Sequence, residues 1–416
     1  MLALEYYYSI PRYLLAKSLS SLFPRRFFPR VAPLRLINVP FAKPRPDWVV
    51  MRPRLCGICG SDLNLLRGVE SYLLEPYASF PCILGHEVVA EVVEAPTESG
   101  FTPGERVAVE PILACQARGG APCRFCARGD YNLCEHFTRG ELPAGVILGF
   151  TQRAGGGLAE LMAAPAGNLF RLPPQISDET AVLADSLASA LQPVLDNFPP
   201  DAATVVIYGA GIIGQQLLRG LRALGCGARL VMVARYPFQE RLAVAGGADL
   251  VLMKPNRRQL GEALGCTFLA TTLGGGNLEG GADFFFDCVG SKNSFQSGLL
   301  ALKARGAYVL VGTAGTIGPV DLSSLWFREL RLTGSAMYAH GQVRGERRRT
   351  YQVAVDLLAR ENFPTAGLLT HTFPLESYRQ VFQTALDKPH HQSVKVAVDL
   401  RPAPGLAGRG PKRKIS

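Results

Sequence analysis

Hydrophobic and polar residues alternate on two different schedules along this chain, and the change comes near residue 190. Before it, apolar residues form short runs broken by proline and glycine. Residues 34–37 (LRLI), 48–51 (WVVM), 88–94 (VVAEVVE) and 105–110 (ERVAVE) read as short strands, with Pro103-Gly104 as a turn. Together they predict an irregular β-barrel-like domain. A helical stripe follows over residues 177–197, opened by Ser177-Asp178-Glu179. Beyond it, buried strands alternate with helices. Residues 204–208 (TVVIY) form a strand that leads into a helix with Ile213, Leu217, Leu221 and Leu224 on one face, ended by Gly225. Residues 229–233, 283–289 and 306–312 are further strands, with a helix over 291–303. This alternation predicts a doubly wound parallel sheet over residues 190–335. A helix over 351–360 and strands near 368–374 and 394–398 then return the chain to the first domain.

The expected division is an N-terminal extension (1–32), a catalytic domain (33–189), a dinucleotide-binding domain (190–335), the return (336–400) and a basic disordered tail (401–416). A length of 416 residues suits two cores rather than one. A hydrophobic content of 48% with 19% charge excludes a disordered chain. The extension mixes Tyr6-Tyr7-Tyr8, leucines and basic residues. It would suit a transit peptide or an interfacial helix, and reads best as a segment packed on the first domain. It contains neither a bilayer-length apolar run nor a clear signal-peptide pattern. The net charge of +10 gathers in the two terminal arms, and no nucleic-acid motif accompanies it. Arg347-Arg348-Arg349 reads as a charge run on a solvated face. The ten cysteines, with no secretory signal, point to a reducing, cytoplasmic setting.

The candidate chemistry starts at Cys59, which follows Cys56 by three residues and precedes Ser61 by two. Alone, this C-x-x-C could be a redox pair or half of a structural zinc knot. His86 and Glu87 come next, and a catalytic zinc takes about three Cys, His or carboxylate ligands with one position open. Asp185 lies in the otherwise apolar stretch Val182-Leu183-Ala184-Asp185-Ser186-Leu187. A buried carboxylate needs a partner; a helix cap, an arginine or a metal would serve. Cys115, Cys123, Cys126 and Cys134 are spaced C-x7-C-x2-C-x7-C. Four thiolates make the closed tetrahedral site that structural zinc prefers, unless they are four free cysteines close together.

Gly209-Ala210-Gly211-Ile212-Ile213-Gly214 lies between a predicted strand and a helix, where such a motif carries a dinucleotide pyrophosphate on the helix N-terminus. The second strand ends at Ala234-Arg235, where NAD sites usually place an acid. Without that acid, and with a guanidinium to pair with a 2′-phosphate, NADP is expected over NAD.

Taken together, these residues resemble the zinc-containing medium-chain dehydrogenase/reductase family, which includes alcohol, sorbitol and threonine dehydrogenases. The resemblance covers residues 33–400. It rests on GICGSD at 57–62, GHE at 85–87, the cysteine lobe ending in Asn132-Leu133-Cys134, and GAGIIG at 209–214. It implies a GroES-like catalytic domain built from both chain ends around a Rossmann domain, assembled as a homodimer or homotetramer. It implies one catalytic and one structural zinc. By position, Cys59 and His86 are catalytic zinc ligands, with Asp185 the third. Glu87 lies next to the metal or alternates as ligand, and Ser61 is the relay hydroxyl. Gly209, Gly211, Ile212, Ile213 and Gly214 cradle the cofactor, and Lys395 meets its pyrophosphate.

The sequence departs from the family pattern at Asn64, where a proton-passing histidine is common, and in the long first gap of the cysteine lobe. The implied reaction is hydride transfer between an alcohol or carbonyl substrate and NAD(P). A polyol or sugar dehydrogenase is one rival reading. A non-enzymatic NADP-binding sensor is another, although it need not keep Cys59, Ser61, His86 and Asp185 together.

Overall fold

Strand Val49–Gly57 organises the first domain. It pairs antiparallel with Glu87–Glu94 on one side and with Lys395–Asp399 on the other. Arg106–Val109 and Leu169–Arg171 extend the sheet one way, and Leu369–Pro374 the other. Met162–Ala164 covers the start of the central strand. The sequence pattern ends the central strand too early, at Met51. The polar segment Arg52-Pro53-Arg54 hides its continuation, and a register shift between Pro53 and Leu55 accommodates the proline. The computed structural model describes residues 1–313, 315–343 and 345–402. From residue 403 onward, the expected disordered tail lies outside the described residues.

The first thirty residues are woven into this domain. Leu2–Tyr6 forms a strand between Leu34–Asn38 and Cys82–Ile83. Leu4 is fully buried, its amide donates to the Leu158 carbonyl at 2.9 Å, and its carbonyl accepts from Leu84 at 3.1 Å. Helix Ile10–Leu22 follows, with a proline in its first turn, where a missing amide proton costs least.

The second domain is a six-stranded, all-parallel sheet. With its strands numbered within the domain, the order is 3-2-1-4-5-6, which places a crevice where the winding reverses. Strand Thr204–Tyr208 lies at the centre. Val205 and Ile207 pack on one face with Leu217, Leu221 and Phe286. Val206 packs on the other with Phe285, Phe295 and Tyr308. Strand alternation thus fills both faces, as a parallel sheet covered by helices requires. Helix Ala184–Asp196 joins the two domains, and Gln216 of the helix Ile212–Ala223 donates to its Leu183 cap at 3.1 Å.

The three consecutive arginines stay partly exposed, as a run on a solvated face would, yet each is paired. Arg347 bonds the Arg128 carbonyl and Asp130, Arg348 pairs with Asp356 at 2.6 Å, and Arg349 grips the buried Glu110. Strand Glu346–Arg349 therefore staples the cysteine lobe to the interdomain segment. A sequence pattern cannot show this, because these acceptors of Arg347 and Arg349 lie 217 to 239 residues away in the chain.

Candidate active site

Strand register assembles the centre. Gly57 pairs with Glu87 on one side and with Ala397 on the other. Cys59 sits just past the end of the central strand, His86 just before its neighbour, and Lys395 at the start of the third strand. Donor atoms of Cys59, His86 and Glu87 lie within 4.8 Å of one another. Glycine at 57 lets the carboxylate lie close to the strand, because a β-carbon there would stand 2.2 Å from Glu87 Oε2 and displace it.

Helix Gly60–Arg67 begins at Cys59, whose amide donates to Asp62 Oδ2 at 2.9 Å. That capping bond fixes the Cys59 backbone. The other oxygen of Asp62 lies 3.7 Å from His86 Nδ1 and has no hydrogen-bond partner, nor has the nitrogen. Asp62 thus steers the imidazole with its free ring nitrogen toward Cys59, as a carboxylate behind a metal-binding histidine does. Burial pushes the His86 imidazole down, but Asp62, Cys59 and Asp185 overcome this and hold it up to about 10.

Asp185 stands in the first turn of helix Ala184–Asp196, buried, and accepts a bond from the Tyr338 hydroxyl. Burial, then repulsion from Glu87, pushes its carboxyl up to about 6 against the pull of His86. It belongs to the same electrostatic pocket, yet the tight donor group contains Glu87 in the place the sequence gives Asp185. Lys395 also differs from expectation. It is 2% exposed and donates to Glu87 Oε1 at 2.7 Å, to Oε2, and to the Ile58 carbonyl at 3.3 Å. Its ammonium is therefore spent on Glu87 and not presented to a cofactor.

The pocket thus holds three buried carboxylates, Asp62, Glu87 and Asp185, beside a thiol and an imidazole; the Lys395 ammonium is paired with Glu87, and the Lys388 ammonium, pushed down by burial, is near enough to be drawn by Cys59. Leaving a buried charge uncompensated costs several kcal/mol. A divalent cation between Cys59, His86 and a carboxylate balances the excess, and this donor set fits zinc.

The second metal group is Cys115, Cys123, Cys126 and Cys134, again with donors within 4.8 Å. None of the four forms a disulfide. Cys115 Sγ is 3.4 Å from Cys134 Sγ and accepts from the Cys123 amide at 3.3 Å. Burial raises the Cys123 thiol, but amides of Cys126 and Glu135 outweigh it and bring it down to about 6. His136 Nδ1 also reaches Cys115 at 3.3 Å, a neighbour the spacing did not reveal. The buried Arg118 ties the lobe down, donating to the Leu113 carbonyl at 2.9 Å and to those of Arg139, Leu142, Pro143 and Gly145.

In the second domain, Gly209 has φ +107, and a β-carbon on Gly214 would lie 1.9 Å from the Gly209 carbonyl. Both positions need glycine, and Gly211 caps the helix that starts at Ile212 and Ile213. Arg235 is exposed just past strand Arg229–Ala234, 5.6 Å from the Tyr236 ring centroid. Asn64 Nδ2 reaches across to Thr313 Oγ1 at 3.4 Å.

Two family models match the chain: the alcohol dehydrogenase GroES-like domain over residues 45–174 and the zinc-binding dehydrogenase domain over residues 213–360. Between them they cover more than half of it. The chain belongs to the zinc-containing medium-chain dehydrogenase family. Sorbitol dehydrogenase of Homo sapiens is 28% identical, covering 84% of this chain and 89% of the relative. Erythritol/L-threitol dehydrogenase of Mycolicibacterium smegmatis is 28% identical, covering 89% and 94%. A Sinorhizobium meliloti protein solved with NADP bound is 25% identical, with a TM-score of 0.67 over 88% of this chain and 95% of that one. This medium-chain dehydrogenase is a zinc-dependent NAD(P) oxidoreductase of the alcohol or polyol type, acting on CH–OH groups. Among its described residues, no helix is long and apolar enough to cross a membrane.

Proposed function

We propose that this enzyme interconverts an alcohol and its carbonyl compound with NADP, through a zinc held by Cys59, His86 and a buried carboxylate. The observation that carries this reading is the convergence of Cys59, His86 and Glu87 donors within 4.8 Å, beside Ser61 at the start of the same helix. Both oxygens of Glu87 are engaged by Lys395, which supports Asp185 as the third ligand and Glu87 as its alternate. When bound, the zinc supplies Lewis-acid polarisation of the substrate oxygen and NADP the hydride exchange. Ser61 takes the hydroxyl proton. Asn64 cannot relay it as a histidine would, so the proton leaves through water or the cofactor ribose. Phe150 packs edge-on against His86 at 5.7 Å and keeps water from that side.

The exposed Arg235 and the missing acid at Ala234 support NADP. Arg235 has no ion pair among the described residues. Initial rates with each cofactor test this. Arg235→Ala is expected to raise KM for NADP roughly 10–100-fold, the worth of a charge-assisted bond, and to spare NAD. A wild-type preference for NAD ends the NADP assignment. The polyol reading draws its support from the polyol dehydrogenases among the relatives.

A further inference from the structure

We propose that the N-terminal strand and helix close the substrate chamber of this enzyme and select a bulky, mainly apolar alcohol or ketone over an open-chain polyol. The inference rests on the reading of Ser61 as the proton relay. A cavity of about 410 Å³ has Ser61 in its wall. That volume lies within the range of small-molecule sites. Phe150, which packs on His86, lines the same cavity, so the wall nearest the metal ligands is aromatic. Leu65, Phe80, Ile147 and Met337 continue this lining.

The opposite wall comes from the N-terminus: Tyr6, Tyr8, Ile10, Tyr13 and Leu14. Its placement is firm. Tyr6 ends the strand paired with Leu34–Asn38, and Tyr13 donates its hydroxyl to the Gly68 carbonyl at 3.2 Å, just past the helix that carries Ser61. A β-carbon on Gly68 would meet Lys17 at 3.0 Å, which shows how closely the two helices approach.

Some polar groups of the lining are spent or peripheral, while Tyr6, Tyr8 and Tyr77, each with a hydroxyl, also line it. The Tyr13 hydroxyl is used on Gly68, the Tyr72 hydroxyl on Lys17 at 2.7 Å, and Glu75 is exposed. Glu70 is half-buried, and burial pushes its carboxyl up. A polyol placed here would find few partners besides these hydroxyls and Glu70 in a wall made mainly of apolar and aromatic side chains, and each of its groups left buried and unpaired is penalised. Conversely, Ile10 (54% exposed), Leu14 (50%) and Tyr72 (59%) hold apolar surface in water at the cavity wall. An apolar substrate would cover that surface.

The test uses the full chain loaded with zinc. Rates with 2-octanol and 1-tetralol are compared with rates on xylitol and sorbitol, with both NADP and NAD. Binding of 1-tetralone is titrated in parallel by calorimetry. The expected result is a kcat/KM for the apolar alcohols about 100-fold or more above the polyols, as unpaired hydroxyls imply. Leu14→Asp should weaken tetralone binding and raise KM for 1-tetralol roughly tenfold or more, with zinc content unchanged. Leu14→Met should restore wild-type values. Leu22→Asp, on the same helix but outside the cavity, controls for the fold and should change neither.

Higher kcat/KM on the polyols, or an unchanged tetralone affinity in Leu14→Asp, overturns the proposal. Tetralone binding that is lost in Leu14→Asp, without turnover of any alcohol, upholds the chamber and sinks the dehydrogenase chemistry assigned to Ser61.

Discussion

The two metal groups of this chain solve opposite problems with the same kind of local geometry. The four-cysteine lobe draws all its donors from a single stretch, residues 115–134, and surrounds them with amides and the bonds of Arg118. The Cys59 centre mixes a thiol, an imidazole and carboxylates from three separate segments between residues 59 and 185, and Ser61 beside it opens onto a chamber. A uniform, enclosed donor set gives rigidity. A mixed set with surplus carboxylates leaves room for a substrate and for ligand exchange.

Removing one thiol from each centre separates their roles most strongly. Cys59→Ala should lower kcat/KM by roughly 1,000-fold or more while metal analysis still finds the lobe zinc. Cys126→Ser should do the reverse, losing the lobe metal and dropping Tm by about 10 °C, with the remaining folded fraction still active. If both variants lose both metals, the centres are not independent.

Lys395→Met comes next. It leaves Glu87 buried without its ammonium, at a cost of about 3–5 kcal/mol in metal-free protein. Zinc should recover part of that loss, because Glu87 can then serve as a ligand. Chemical unfolding with and without zinc would show it, and an equal loss in both would count against the alternate-ligand role.

The smallest effect is expected from Gly57→Ala, whose methyl crowds Glu87 Oε2. Zinc affinity at the catalytic centre should fall roughly tenfold, as for other changes just behind a ligand, and the lobe should be unaffected. Competition with a chromophoric chelator reads both sites in one titration.

Much of this was legible in the chain itself. Gly209 to Gly214 announced a turn that only glycine can make. The four lobe cysteines carry their meaning in their spacing, because all their partners are local. The Cys59 centre was legible only in part. Asp62 as a brace for His86, and Lys395 as the counter-ion of Glu87, depend on which strands lie side by side, and the register of Gly57 against Glu87 and Ala397 is invisible in a one-dimensional pattern. The same reason hid the arginine staple at 347–349. The N-terminal segment was obscured differently. Tyr6 ends a short strand while Ile10 and Leu14 lie on the helix that follows, and all three line the cavity, so neither periodicity runs long enough to come through cleanly.

The pairing of Lys395 with Glu87 joins positions 308 residues apart, and this sets an order of assembly. During synthesis the cysteine lobe can capture its metal as soon as residue 134 has left the ribosome. Glu87, by contrast, stays without its ammonium until nearly the whole polypeptide has emerged. A product that stops short of residue 395 would therefore carry all four lobe thiols but lack the ammonium that Glu87 holds, and is expected to be chemically silent.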